Sequence, residues 1–333
     1  MLTEWLRLRQ PSPFGGRGAA PKQKTPMSVT SVSAPATVTG GTRLWGSLGA
    51  VYLLWGSTYL FIHFMTERMP PLYMASMRYL VAGSLLYGYA RLTGAPRPTV
   101  GHWRATAIIG FFLLTVANGA LTLGLQYIPT GMGALLGGLL PVFILLLNWL
   151  SFSQVRPSNL ALAGVLIGVS GIYLLIKPDR LLSAGGVHAN VIGASLVAAG
   201  NLSWAVGTLL TPRLRLPAPS LSSGMQMLCG GGFLLIISLV TEPVTLFSLV
   251  QAPPKALGAM LYLIVFGSII GFSAYAWLAR NAPPTLLATY AFVNPIVAVL
   301  LGVTFAGEVF SARSLLGAGV ALLGVTLMTL GRK

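Results

Sequence analysis

Three asparagines, Asn118, Asn201 and Asn294, fall within long apolar stretches of the chain, with no charged residue close to any of them. An amide in hydrocarbon must find a hydrogen-bond partner, so such residues look into the protein or a cavity rather than at lipid. Asn118 is spaced three and four residues from Thr115 and Thr122, which on an α-helix makes one polar stripe. Asn294 follows Tyr290 by four residues and shares its face. On the first apolar stretch Trp55, Tyr59 and His63 recur every four residues, and Trp55 is too deep for the interfacial aromatic belt to explain. Trp204 is its echo in the second half of the chain. Amides and planar rings of this kind suit recognition of a small solute, and none of them readily changes charge near neutral pH. Interhelical hydrogen bonding and ordinary core packing are the plainer alternatives.

Arg78 is the one ionised residue clearly inside an apolar stretch. It binds an anionic group of the solute, or it snorkels to a lipid phosphate or pairs with Glu67. The candidate substrate-binding set is Trp55, Tyr59, Arg78, Asn118, Thr122, Trp204, Tyr290 and Asn294. No catalytic residue is expected. Gly168-Val169-Ser170-Gly171 has the GxSG form found around the nucleophile of intramembrane serine proteases. Such a serine needs a basic partner, and the only histidine in a span is His63, near its end. His102 and His188 lie in loops and Cys229 is alone, so neither a metal site nor a cofactor is expected.

Composition sets the class. Hydrophobic residues make up 55% of the chain, charged ones 8%, and the mean hydropathy is +0.79, as in an all-α integral membrane protein. The net charge of +16 invites a nucleic-acid partner, but the 21 Lys and Arg lie mainly between apolar spans and fit the cytoplasmic face of a membrane instead. The expected partners are the lipid bilayer and a small-molecule substrate, with the protein itself a monomer.

Ten apolar spans are predicted, at approximately 44–64, 73–92, 105–126, 130–152, 159–176, 190–210, 220–240, 256–279, 284–306 and 313–330. Short links carry the breakers, among them Pro70-Pro71, Pro157, Pro212 and Pro253-Pro254. Residues 1–42, rich in Pro, Gly, Ser, Thr and basic residues, read as a disordered cytoplasmic tail; an organellar transit peptide and a start at Met27 are the alternatives. With the amino terminus inside, the inner segments hold 15 Lys and Arg and the outer segments five, so both termini are expected in the cytoplasm.

The chain also repeats itself. Tyr127–Gln154 and Asn281–Glu308 align at a shift of 154, setting Pro129 on Pro283, Pro141 on Pro295 and Gln154 on Glu308. Pro141 and Pro295 should kink their helices and act as paired hinges. With five spans in each half, the halves insert upside down relative to each other, the arrangement of alternating-access carriers. The expected halves are 43–177 and 190–330. Gly133/Gly137, Gly164/Gly168 and Gly267/Gly271, each four apart, are expected to let helix backbones approach.

These pieces resemble the EamA-domain carriers of the drug/metabolite transporter superfamily. The likeness lies in WGSTY (Trp55–Tyr59), PPLYMASMRYLVAG (Pro70–Gly83), ANGALT (Ala117–Thr122), SWAVG (Ser203–Gly207), FGSIIGFSAYAWL (Phe266–Leu278) and ATYAFVNPIVAVLLG (Ala288–Gly302). It spans about Leu44–Leu330 and is closest to inner-membrane metabolite and drug exporters. The resemblance implies ten helices in two inverted five-helix repeats around a central cavity, and export of small metabolites, often amino acids or related compounds. A multidrug exporter is the nearest alternative; an intramembrane protease and a non-transporting scaffold are more distant ones. Small four-helix relatives bind cations and protons through a glutamate in the first helix, and this first span has no acid.

Overall fold

The computed structural model describes residues 41–67, 69–152, 156–176, 186–244, 252–282, 290–308 and 311–331, and among these residues there is no β-strand. The tail up to residue 40 lies outside them, as does the expected start of the ninth span at 284–289.

Helix α1 (Gly41–Thr66) takes in two residues that the tail was expected to hold. Helix α2 (Pro71–Leu92) begins where Pro71, directly after Pro70, presets the backbone for a first turn. Helix α3 (Val100–Gly124) is capped by Thr99, whose Oγ1 accepts from His102 N at 3.2 Å while His102 Nδ1 accepts from Thr99 N at 3.3 Å. Helix α4 (Thr130–Phe152) follows Pro129 and is broken by a turn at Gly138-Leu139. Then come α5 (Asn159–Ile176), α6 (Gly186–Leu210), α7 (Pro219–Thr241), α8 (254–281), α9 (Tyr290–Ala306) and α10 (Ala312–Leu330). Among the described residues α1, α3, α4, α6, α7 and α8 are long and apolar enough to cross a membrane; α5, α9 and α10 hold shorter apolar runs. Leu166 and Val240, on two of these helices, are 71% and 81% exposed, apolar surface that lipid would cover. The chain is a multi-pass membrane protein.

The main helix contacts join the two halves of the chain: α2 packs on α7, α5 on α10 and α1 on α9. Glycine sets the approach. A Cβ on Gly164 would stand 2.6 Å from Gly324 O, and one on Gly224 would stand 2.7 Å from Tyr87 N, so side chains there would push the pairs apart.

At the end of the bundle that carries the α1–α2 link, an apolar cluster including Ile62, Met65, Met74, Ile128 and Met132 fills the space between helices. Two carboxylates bind helix starts at this end. Glu242, just past α7, accepts from Leu72 N at 2.8 Å and Tyr73 N at 2.9 Å, and Ser238 Oγ donates to it at 2.6 Å. Glu308, just past α9, accepts from Thr130 N at 2.6 Å, Thr130 Oγ1 at 2.8 Å and Gly131 N at 3.2 Å. Each satisfies amides that a helix start leaves unpaired and sits at the positive end of the helix dipole. Gly307, with φ of 67°, turns the chain so that Glu308 can fold back.

Candidate binding site

Halfway along the bundle, helices from both halves enclose a cavity of about 130 Å³. Its wall includes Trp55 and Tyr59 from α1, Arg78 from α2, Asn118 from α3, Trp204 from α6, and Tyr290 and Asn294 from α9. Seven of the eight sequence-predicted residues therefore meet in one place. Thr122 does not: it is buried in the last turns of α3, which pack on α6. The expected polar stripe fails for a physical reason. Residues Phe111–Asn118 wind as a π-helix, in which each turn takes up an extra residue, so the spacing of three from Thr115 to Asn118 no longer shares a face; Thr122 lies beyond it, in the α-helical turns Gly119–Gly124. Thr115 accordingly points at α7 and donates to Gly230 O at 3.1 Å, while Asn118 reaches the cavity. Asn118 Nδ2 also covers a carbonyl of the widened turn, Leu113 O, at 2.8 Å.

A second π-helical stretch, Leu263–Ile270, lies in α8, and its carbonyls hold the other side of the site. Trp55 Nε1 donates to Gly267 O at 3.2 Å. The indole stacks on Tyr275 with ring centres 4.9 Å apart and meets the edges of Phe272 and Tyr290 at 5.6 Å each. Across the site Ser203 Oγ donates to Phe112 O at 2.7 Å, so these two π-helical stretches are each gripped by a side chain of α1 or α6. Gly271 and Gly137, expected to serve backbone packing, make room for site side chains instead. A Cβ on Gly271 would stand 2.6 Å from Trp55 Nε1, and one on Gly137 would collide with the Tyr59 hydroxyl.

Arg78 is only 5% exposed and does not snorkel. Its Nε donates to Ser268 Oγ at 3.0 Å, and its guanidinium lies 4.8 Å from the Tyr79 ring centre. Pairing with Glu67 is overturned, because Glu67 meets Lys255 at 2.9 Å on the bundle surface.

The two prolines behave differently. Pro141 follows the break at Gly138-Leu139, and the carbonyl of Leu136 beside that break accepts from Asn201 Nδ2 at 2.7 Å. Pro295 lies inside α9 without interrupting it. Asn294 is 7% exposed, and with its amide turned so that its nitrogen faces the neighbouring carbonyls it donates to Tyr290 O and Tyr52 O, both at 3.2 Å. Asn201, Thr58, Ser268 and Phe272 belong to the site or its support and were not in the predicted set. For Asn201 the signal was its depth. For Ser268 there was none, because its role depends on the π-turn that aims it.

Ser170 of the GxSG run faces outward and donates to Leu166 O at 2.9 Å, while Gly171 is pressed against Ala321 of α10. The run is a packing surface. Among the described residues no cluster of three or more His, Cys, Asp or Glu could hold a metal.

A multi-pass helical bundle with a polar and aromatic cavity at mid-length is the form of a membrane carrier. The chain belongs to the EamA-like transporter family, whose model matches residues 44–177 and 191–330. It is 39% identical to an uncharacterized inner membrane transporter, YedA, of Escherichia coli K12, over 87% of this chain and 91% of that one. It is 29% identical to the protein PecM of Dickeya dadantii, over 79% of this chain and 84% of that one. A solved crystal structure shares the fold, with a TM-score of 0.61 at 17% identity over 87% of this chain and 98% of the other. The protein is thus a membrane transporter and not an enzyme.

Proposed function

We propose that the protein is a secondary exporter of small polar or amphipathic metabolites, amino-acid-like compounds among them, working by alternating access. In this reading ten helices cross the inner membrane as two inverted five-helix repeats, 43–177 and 190–330, with both termini in the cytoplasm. The observation that carries it is the cavity, whose wall draws on both halves at one depth. A solute held there lies on the seam between two packed halves, where rocking one against the other exposes it to either side. The break before Pro141 and the missing amide of Pro295 make α4 and α9 the hinges of that motion. Trp55, Tyr59, Arg78, Asn118, Trp204, Tyr290 and Asn294 bind the solute, and Thr122 serves packing.

The test is a metabolite library screened for compounds that raise the melting temperature of the purified full chain, followed by counterflow of the hits in liposomes. Hits that bind wild type, bind Trp204→Ala poorly and exchange across the vesicle membrane support the reading. Hits that bind but never cross it overturn it.

A further inference from the structure

We propose that the cavity narrows the class named above to solutes carrying one negative charge and no positive one, which leaves out zwitterionic amino acids, and that each transport cycle carries this charge across the membrane; this rests on the carrier reading above. Arg78 is buried at the cavity wall, and an arginine stays protonated in any accessible setting. Among the described residues the carboxylates are Glu67, Glu242 and Glu308, and all three are engaged elsewhere. The arginine has a hydroxyl at Nε and a ring at its face, but no ion pair with any described residue. A buried cation without a counter-ion is unfavourable; an anionic solute supplies the missing charge, and the fork of guanidinium donors on Arg78 fits a carboxylate that accepts from it.

The same inventory disfavours an ammonium. No carboxylate lines the wall to receive it, and Arg78 would repel it. The faces of Trp55, Tyr59 and Tyr290 offer only weak cation–π attraction in a cavity that already holds a positive charge. A zwitterion gains at one end and loses at the other. A monoanion with a compact apolar body only gains.

The charge also fixes where voltage acts. Loaded with a monoanion, the site is neutral as it reorients. Empty, it returns with one positive charge, which an inside-negative membrane draws toward the cytoplasm. One negative charge leaves the cell per cycle, and no proton has to move.

The test uses four compounds with one skeleton: 3-phenylpropionate, phenylalanine, 3-phenylpropylamine and 3-phenylpropanol. The carboxylate is expected to bind about tenfold or more tighter than the other three, as read by melting-temperature titration. Arg78→Gln, which keeps a hydrogen-bonding head and loses the charge, should lose about thirtyfold or more of that affinity while melting near wild type. Arg78→Lys, which keeps the charge and loses the fork, should retain part of it. In liposomes with valinomycin, labelled 3-phenylpropionate should accumulate up to about tenfold when a tenfold potassium gradient makes the interior positive, after subtraction of protein-free vesicles. Should Arg78→Gln not fold, the wild-type ranking and the potassium gradient decide without it. Equal or tighter binding of phenylalanine or the amine, or flux indifferent to the potassium gradient, overturns the inference. So does failure of all four compounds to bind or move. In each case the carrier reading stands or falls separately, on the library screen.

Discussion

At the scale of single residues, Trp55 shows how the site is built from ordinary packing forces. Its ring touches three others, and its one donor is spent on Gly267 O. Trp55→Phe removes the donor and the second ring of the indole, and should cost about 2–3 kcal/mol of stability. Gly271→Val instead drives a side chain into the indole and should cost about 1–3 kcal/mol while also weakening ligand binding. Thermal melts with and without a library hit distinguish the two. A Gly271→Val protein that melts and binds the hit like wild type would mean that this space does not hold the ring. Much of this site was legible in the sequence, because polar and aromatic residues deep in an apolar span have few places to face. Ser268 and Thr58 were not, because a small hydroxyl in a membrane helix most often bonds its own backbone, as Thr58 does to Trp55 O at 2.6 Å.

Among the elements, the π-helical stretches at the site, Phe111–Asn118 and Leu263–Ile270, are the features that hydrophobic pattern could not reveal. Periodicity assumes a constant turn, so Thr115 and Asn118 were assigned one face when they point to α7 and to the cavity. Helix ends were easier, since Pro70-Pro71 and Pro253-Pro254 mark them directly. What the chain order could not show is that acids after α7 and α9 cap helices far away in sequence. Glu308→Ala removes three accepted hydrogen bonds from the start of α4 and should cost about 1–2 kcal/mol in thermal unfolding. Glu308→Gln keeps one acceptor and should leave flux in liposomes largely intact. Uphill transport driven by a pH gradient at clamped voltage, and abolished by Glu308→Gln, would make this carboxylate a proton site instead. A sharper contrast lies within α10. Gly324→Val should separate α5 from α10 and lower the yield of folded protein, whereas Gly319→Val, with open space around it, should be tolerated.

For the whole molecule the first question is how it sits in the bilayer. A fluorescent reporter active only in the cytoplasm should light up when fused after Lys333 and stay dark when inserted near Asp179. Signal at both sites, or at neither, would discard the inverted ten-crossing arrangement. The cross-half pairing of helices has a further consequence, for synthesis. Helix α5 packs chiefly on α10, which is made much later, and Gly83 of α2 meets α7. At translation rates of about 5–20 residues per second, α5 waits roughly 8–30 seconds in the membrane before its partner exists. During that interval the glycine seam of α5 faces lipid or the insertion machinery, and the nascent first half is an unfinished object rather than a folded domain. Two separately encoded halves, made together, should therefore assemble into a working carrier, and either half made alone should be degraded.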